Sequence, residues 1–265
     1  MKIARSLAAA LGTAIAIVLL WQGAVMLFAP PPFILPGPAA VARRLWLDRA
    51  LLLDHGLITL AEIGLGLVIG TLLGIGAAVG IAASRPLRRV LLPLVIASQA
   101  VPVFAIAPLL VLWLGYGMTS KIAMAAIVIF FPVTIALADG IARLEPGLVD
   151  LARVMTGGAA PHGRRWRLLR HLYAPAALPA LGSGLRIAAA VAPIGAVIGE
   201  WVGSAGGLGW LMLQANARAK IDLMFAALIL LAAMALLLYR LVDVALRRAT
   251  PWARPAHLLE ESDPT

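Results

Sequence analysis

Residues 57–83 read LITLAEIGLGLVIGTLLGIGAAVGIAA, a run with a single charge, Glu62, and with Gly66, Gly70 and Gly74 spaced four apart ahead of Gly76 and Gly80. At about 1.5 Å of rise per residue, about 20 such residues as a helix cross a hydrocarbon core of about 30 Å. Outward from this run the same pattern recurs at 7–28, 90–114, 120–138, 177–198 and 223–246. The chain is therefore predicted to be an all-α integral membrane protein with about six transmembrane helices. The glycine spacing makes a flat helix face on which a second helix can approach closely. A gate helix, a subunit contact and ordinary intramembrane packing all fit that spacing.

Composition points the same way. Apolar residues make up 62% of the 265 and charged residues 13%, with a mean hydropathy of +0.98, whereas soluble chains carry about 25% charged residues. The net charge of +10 does not indicate nucleic acid, because the basic residues lie between the apolar runs, where they set topology. With the N-terminus inside, fifteen of the 22 basic residues fall on the cytoplasmic side and six (Arg43, Arg44, Arg49, Lys121, Arg218, Lys220) outside, with Arg186 inside a span. Both termini are thus expected in the cytoplasm. The first apolar stretch exceeds the 7 to 15 residues of a signal-peptide core, which favours a retained span.

The organisation expected is an N-terminal transmembrane helix (1–29), a periplasmic segment (30–56), a membrane core (57–248) and a cytoplasmic tail (249–265). Within the periplasmic segment, Pro30, Pro31, Pro32, Pro36 and Pro38 form a stiff extended entry. Residues 39–53 follow as an amphipathic helix at the outer interface. The third span contains Pro93, Pro102 and Pro108 and should be kinked or broken, a state tolerated in lipid only where neighbouring helices or a cavity satisfy the freed carbonyls. Gln99 and Pro102 are accordingly candidates to line a pathway. Glu200 and Trp201 could join them, or mark the outer interface where tryptophan is enriched. Arg186 could snorkel to the inner surface.

Several chemistries are excluded. The three lysines follow Met1, Ser120 and Ala219, so no Walker A phosphate loop exists. There is no cysteine, no serine lies in GxSxG, and His55, His162, His171 and His257 lack metal-ligand spacing and read as interfacial or solvated. No catalytic, cofactor or metal site is expected. A secondary carrier, the rival class, would favour inverted repeats and mid-span carboxylates, and the sequence offers neither.

The most informative stretch is the basic inner loop 139–176, longer than a connection requires and punctuated by Gly157, Gly158, Pro161 and Gly163. Its composition suits either a docking element or a solvated anchor. Asp150, Leu151 and Ala152, then Gly157 and Gly158, then Leu172, Tyr173, Ala174 and Pro175 resemble the EAA loop of binding-protein-dependent ABC importer permeases. The departures are Asp150 for Glu, Leu151 for the first Ala, Thr156 at the nominal Gly, Leu172 for Ile, Ala174 for Leu, and Pro175 six residues late. The resemblance extends over 36–246 and is closest to the branch importing sulfonates, taurine, nitrate and thiamine-precursor pyrimidines, through FILPGP at 33–38 and APLLVLWLGYG at 107–117. APIGAVIGEWVG at 192–203, with NAR at 216–218 and DLMFAAL at 222–228, is most similar to permeases for the hydroxymethylpyrimidine precursor of thiamine.

The resemblance implies a type I ABC importer permease (MetI-like) fold in a bacterial inner membrane. The implied partners are a dimer of ATP-binding subunits carrying ATP and Mg, a periplasmic solute-binding protein, membrane lipid and a second permease copy, but no nucleic acid. Asp150, Leu151, Ala152, Gly157, Gly158, Leu172 and Pro175 would form the coupling loop that docks on the ATPase. The glycine-rich segment 203–209 is a candidate gate or binding-protein contact, or a flexible loop.

Overall fold

The computed structural model describes residues 2–145, 147, 150, 151, 154 and 168–253, and contains no strand among them. The helices are α1 (Lys2–Phe28), α2 (Pro38–Leu47), α3 (Arg49–Ala83), α4 (Arg85–Ala100), α5 (Val103–Leu114), α6 (Met118–Ala142), α7 (Ala174–Gly203), α8 (Leu208–Ala217) and α9 (Ile221–Ala249). A π-helical turn, Leu169–Tyr173, leads into α7. Among the described residues four helices are long and apolar enough to cross a membrane, or five when α4 and α5 count as one bent span. In α1 the side chains are described from Gly12 onward, and Gly12–Phe28 is an apolar helix as well.

The third span breaks at one of its three prolines. Pro93 sits inside α4 and Pro108 inside α5, while Pro102 separates the two helices, which meet at 104°. Val101, the residue before Pro102, is extended (φ −86°, ψ 121°), the conformation that proline imposes on its predecessor. The amphipathic helix expected over 39–53 is also divided: α2 stops at Leu47, Asp48 caps it, and Arg49 already belongs to α3. Its apolar face is covered by protein, since Val41 and Leu52 pack with Leu208, Leu211, Leu223, Ala226 and Ala227. Arg44 fixes it further, with Nε 3.1 Å from the Asp222 carboxylate at the start of α9.

At the centre, α6 lies between α3 and α7. Gly66, Gly70 and Gly74 face α6, where a Cβ added at Gly66 would lie 2.5 Å from Ala125 Cβ, at Gly70 2.8 Å from the Ala126 carbonyl oxygen, and at Gly74 2.9 Å from Val133. On the other side Gly184 and Gly195 approach α6 as closely, with an added Cβ 2.7 Å from the Pro132 carbonyl oxygen and from Ala125 Cα. Ile63, Ala125, Ile129, Val133, Ala188, Ala192 and Ala196 fill the space between the three helices. Large apolar side chains such as Leu20, Leu72, Leu112 and Leu236 point outward.

Gly70→Leu should therefore force α3 away from α6, at a cost of at least 1–3 kcal/mol for overpacking. Gly76→Leu, on an exposed position with open space around it, should not. Thermal midpoints of the two purified variants in detergent check the contrast.

Candidate functional site

Around the start of α6 and the end of α7, beside the His55–Glu62 stretch of α3, the segment joining α7 to α8 folds back and the buried polar side chains gather. Glu62 and Glu200 are 0% and 1% exposed. Lys121 Nζ, in the first turn of α6, donates to Glu62 Oε1 at 2.8 Å and to Ser204 Oγ at 2.8 Å. Lys121, counted by sequence among the outer basic residues, is buried and paired with Glu62.

Glu200 answers a different positive end. Gly209 N donates to its Oε2, as does Trp210 N at 3.3 Å, so the carboxylate sits on the N-terminus of α8, where unpaired amides and the helix dipole favour an anion. Thr59 Oγ1 donates to Glu200 Oε1 at 2.6 Å and accepts from Leu208 N at 2.8 Å. His55 Nδ1 accepts from Gly207 N at 3.0 Å, and its ring stacks on Trp210 with centroids 5.2 Å apart. As an acceptor at Nδ1, His55 is the neutral Nε2–H tautomer. Gly207 is at φ 106°, and a Cβ there would overlap the Glu200 carboxyl, so both backbone conformation and space require glycine. Trp201 Nε1 donates to the Gly209 carbonyl at 3.1 Å.

The cluster thus fastens segment 204–210 to the core. Two carboxylates are balanced by one ammonium and one helix N-terminus. Glu62 Oε2 is buried and receives no hydrogen-bond donor among the described residues. No cluster of three or more potential metal ligands occurs among the described residues.

The sequence-derived candidates fall in three places. Gln99 and Pro102 are exposed at the α4–α5 break, where the chain bends by 104°. Glu200 is turned inward as described, with Trp201 half exposed beside it. Asp150 and Leu151 are helical and exposed, and Leu172 and Pro175 are half-buried at the entry to α7, while Ala152, Gly157 and Gly158 lie outside the described residues. Arg186 does not snorkel freely: its Nε is 2.7 Å from Asp243 Oδ1 on α9, and Arg247 Nε holds the other oxygen at 2.8 Å.

Thr59 and the helix α8 were not singled out by sequence, His55 was read only as interfacial or solvated and Lys121 only as an outer basic residue, and Ser204 entered only as part of segment 203–209. For α8 a signal existed, since Leu208, Leu211, Met212 and Ala215 recur at helical spacing and are all buried. For the polar residues there was none, because their partners lie 59 to 152 positions away.

Against known proteins, the sequence signature described as "Binding-protein-dependent transport system inner membrane component" matches residues 70–254. A probable ABC transporter permease protein of Haemophilus influenzae is 50% identical over 232 residues, covering 88% of this chain and 92% of its own. The riboflavin transport system permease protein of Chloroflexus aurantiacus is 40% identical (92% and 90% covered), and the formylaminopyrimidine transport permease protein of Halalkalibacterium halodurans 33% identical (84% and 87% covered). Among solved structures, an inward-facing MetNI methionine ABC transporter superposes with a TM-score of 0.65 at 22% identity, covering 76% of this chain and 96% of that one.

Removing one partner of the buried Glu62–Lys121 pair should cost about 3–5 kcal/mol, because the other charge is left uncompensated. Lys121→Met should therefore lower the thermal midpoint strongly, and the double variant Glu62→Leu/Lys121→Met should recover part of the loss. A double variant no better than the single would mean that the pair is not coupled.

Proposed function

Because the chain belongs to the binding-protein-dependent transport system inner membrane component family, it is the membrane-spanning permease subunit of an ABC importer and not an enzyme, and we propose that its cargo is a planar pyrimidine-type heterocycle, a thiamine precursor first among them. The observation that carries the cargo reading is the pairing of relatives whose substrates are printed in their names. One transports riboflavin and the other formylaminopyrimidine, and both molecules contain a flat, nitrogen-rich ring that offers hydrogen-bond donors and acceptors at its edge. The segments 192–203 and 216–228, similar to hydroxymethylpyrimidine permeases, support the smaller ring. The higher identity to the riboflavin permease favours riboflavin as the second reading. A sulfonate, taurine or nitrate cargo is the third.

The type I permease fold implies ATPase and solute-binding-protein partners. In our reading two copies of the chain form one pathway in a bacterial inner membrane, with both termini in the cytoplasm and ATP and Mg held by the partner ATPase dimer. Loop 139–176, with Asp150, Leu151, Ala152, Gly157, Gly158, Leu172 and Pro175, docks on that ATPase. Nucleotide binding biases a two-state arrangement of the helices, and the binding protein delivers cargo to the outer face. Gln99 and Pro102 line the pathway, because a span broken at Pro102 leaves carbonyls that lipid cannot satisfy and a polar route can. The cluster around Glu200 holds the outer segment 204–210 as the surface the binding protein meets.

The complex of this chain with its ATPase and binding protein, purified in lipid, should show ATPase stimulation by binding protein loaded with hydroxymethylpyrimidine. Stimulation by riboflavin, or only by a sulfonate, taurine or nitrate, would replace the cargo and keep the mechanism. Replacing Gly157 and Gly158 together by Leu should abolish uptake while the protein remains in the membrane, and wild-type uptake in that variant would remove the loop from the coupling path.

A further inference from the structure

In an α-helix the carbonyl of residue 175 accepts from the amide of residue 179, but residue 179 is proline. It has no N–H, and its ring crowds the same carbonyl and turns it outward. In this structure the missing donor comes from elsewhere in the chain: Trp252 Nε1 donates to the Pro175 carbonyl at 3.2 Å.

The position of Trp252 is itself built. Thr250 ends α9, with its N–H and its Oγ1 both donating to the Leu246 carbonyl at 2.9 and 2.8 Å. Thr250 to Ala253 then form a turn closed by Ala253 N donating to the Thr250 carbonyl at 3.1 Å, with Pro251 at the position where proline's fixed φ favours such turns. Trp252 occupies the next position. Deeper along the same two helices, Gly182 leaves room for Leu246, whose Cδ2 would lie 3.5 Å from an added Cβ, and Arg186 pairs with Asp243 at 2.7 Å. Three successive contacts therefore join the first half of α7 to the last turns of α9, and Trp252 is the one nearest the loop.

We propose that Trp252 is a positioning residue that latches the end of α9 to the exit of loop 139–176 through the carbonyl that Pro179 leaves free, so that displacement of the loop moves α7 and α9 together. The transport consequence rests on the importer reading above, whereas the latch itself does not. An aromatic anchor at the membrane interface is the competing account of Trp252. It makes a different demand, because an anchor has no need of the Pro175 carbonyl and its loss would leave amide exchange in segment 169–178 unchanged.

The test uses the whole complex with Trp252→Phe. Amide hydrogen exchange in segment 169–178 should rise by up to about fivefold, the weight of one hydrogen bond, and cargo imported per ATP hydrolysed should fall by up to the same factor, with assembly unchanged. In Pro179→Ala the helix regains its own donor for the Pro175 carbonyl and competes with the latch, so adding it to Trp252→Phe should not restore import per ATP. Wild-type exchange and coupling in Trp252→Phe, or recovery of coupling in the double variant, would overturn the proposal. If the wild-type complex imports nothing, the importer reading fails, and the exchange measurement still decides the latch.

Discussion

The close approach of α6 to α3 on one side and to α7 on the other is the constraint from which the rest of the architecture follows. Between helices in lipid there is no hydrophobic driving force, since the acyl chains are as apolar as leucine, and association depends on van der Waals contact and on polar groups that find one another. Glycines on α3 and α7 remove the side chains that would hold the backbones apart, and the alanines and Val133 of α6 fill the remaining space. Only with the three backbones so near can Lys121 of α6 reach Glu62 of α3 while Gly199, beside Glu200, rests against its stem, an added Cβ there lying 3.1 Å from Lys121 Cα.

Buried charge at such a junction is an unusual investment for a membrane protein. Desolvating two carboxylates and an ammonium costs more than apolar packing of the same volume, so the arrangement is weak evidence for stability alone. What it supplies is direction. Each member has a specific geometric partner, and the segment after α7 can close over the bundle only in the register that presents Ser204 to Lys121 and the α8 amides to Glu200.

Much of this was legible in the sequence, and the limits are physical. Long apolar runs report their own environment, so five of the six predicted spans coincide with apolar helices or a bent helix pair long enough to cross a membrane, with ends displaced by up to eight residues, and the 90–114 run, expected to be kinked or broken, is broken. Which of three prolines breaks it was not readable. Pro93 and Pro108 are accommodated within helices, and only the extended Val101 marks Pro102 as the breaking point. The division of 39–53 at Asp48 escaped notice because α2 and α3 abut without a linker. The polar cluster was illegible for a deeper reason: Thr59 with Glu200 and Glu62 with Lys121 are tertiary pairings, and nothing local in sequence announces them. The EAA-like motif of loop 139–176 was visible only through family resemblance, since the loop's charge and length alone suit a docking element and a solvated anchor equally well.

The fastenings also divide α7 mechanically. Its C-terminal end is clamped through Glu200, whereas its N-terminal end, at Ala174, connects to the loop and leans on α9. Twenty-six residues separate Glu200 from Ala174, about 39 Å of helix at 1.5 Å per residue. With the clamp as fulcrum, a tilt of about 5° would sweep the loop end through about 3 Å while the clamped end scarcely moved, which is lever arithmetic from the same rise per residue. A small angular change at the clamped end would thus be exchanged for a displacement at the loop end comparable to the width of an atom, with the length of the helix setting the ratio.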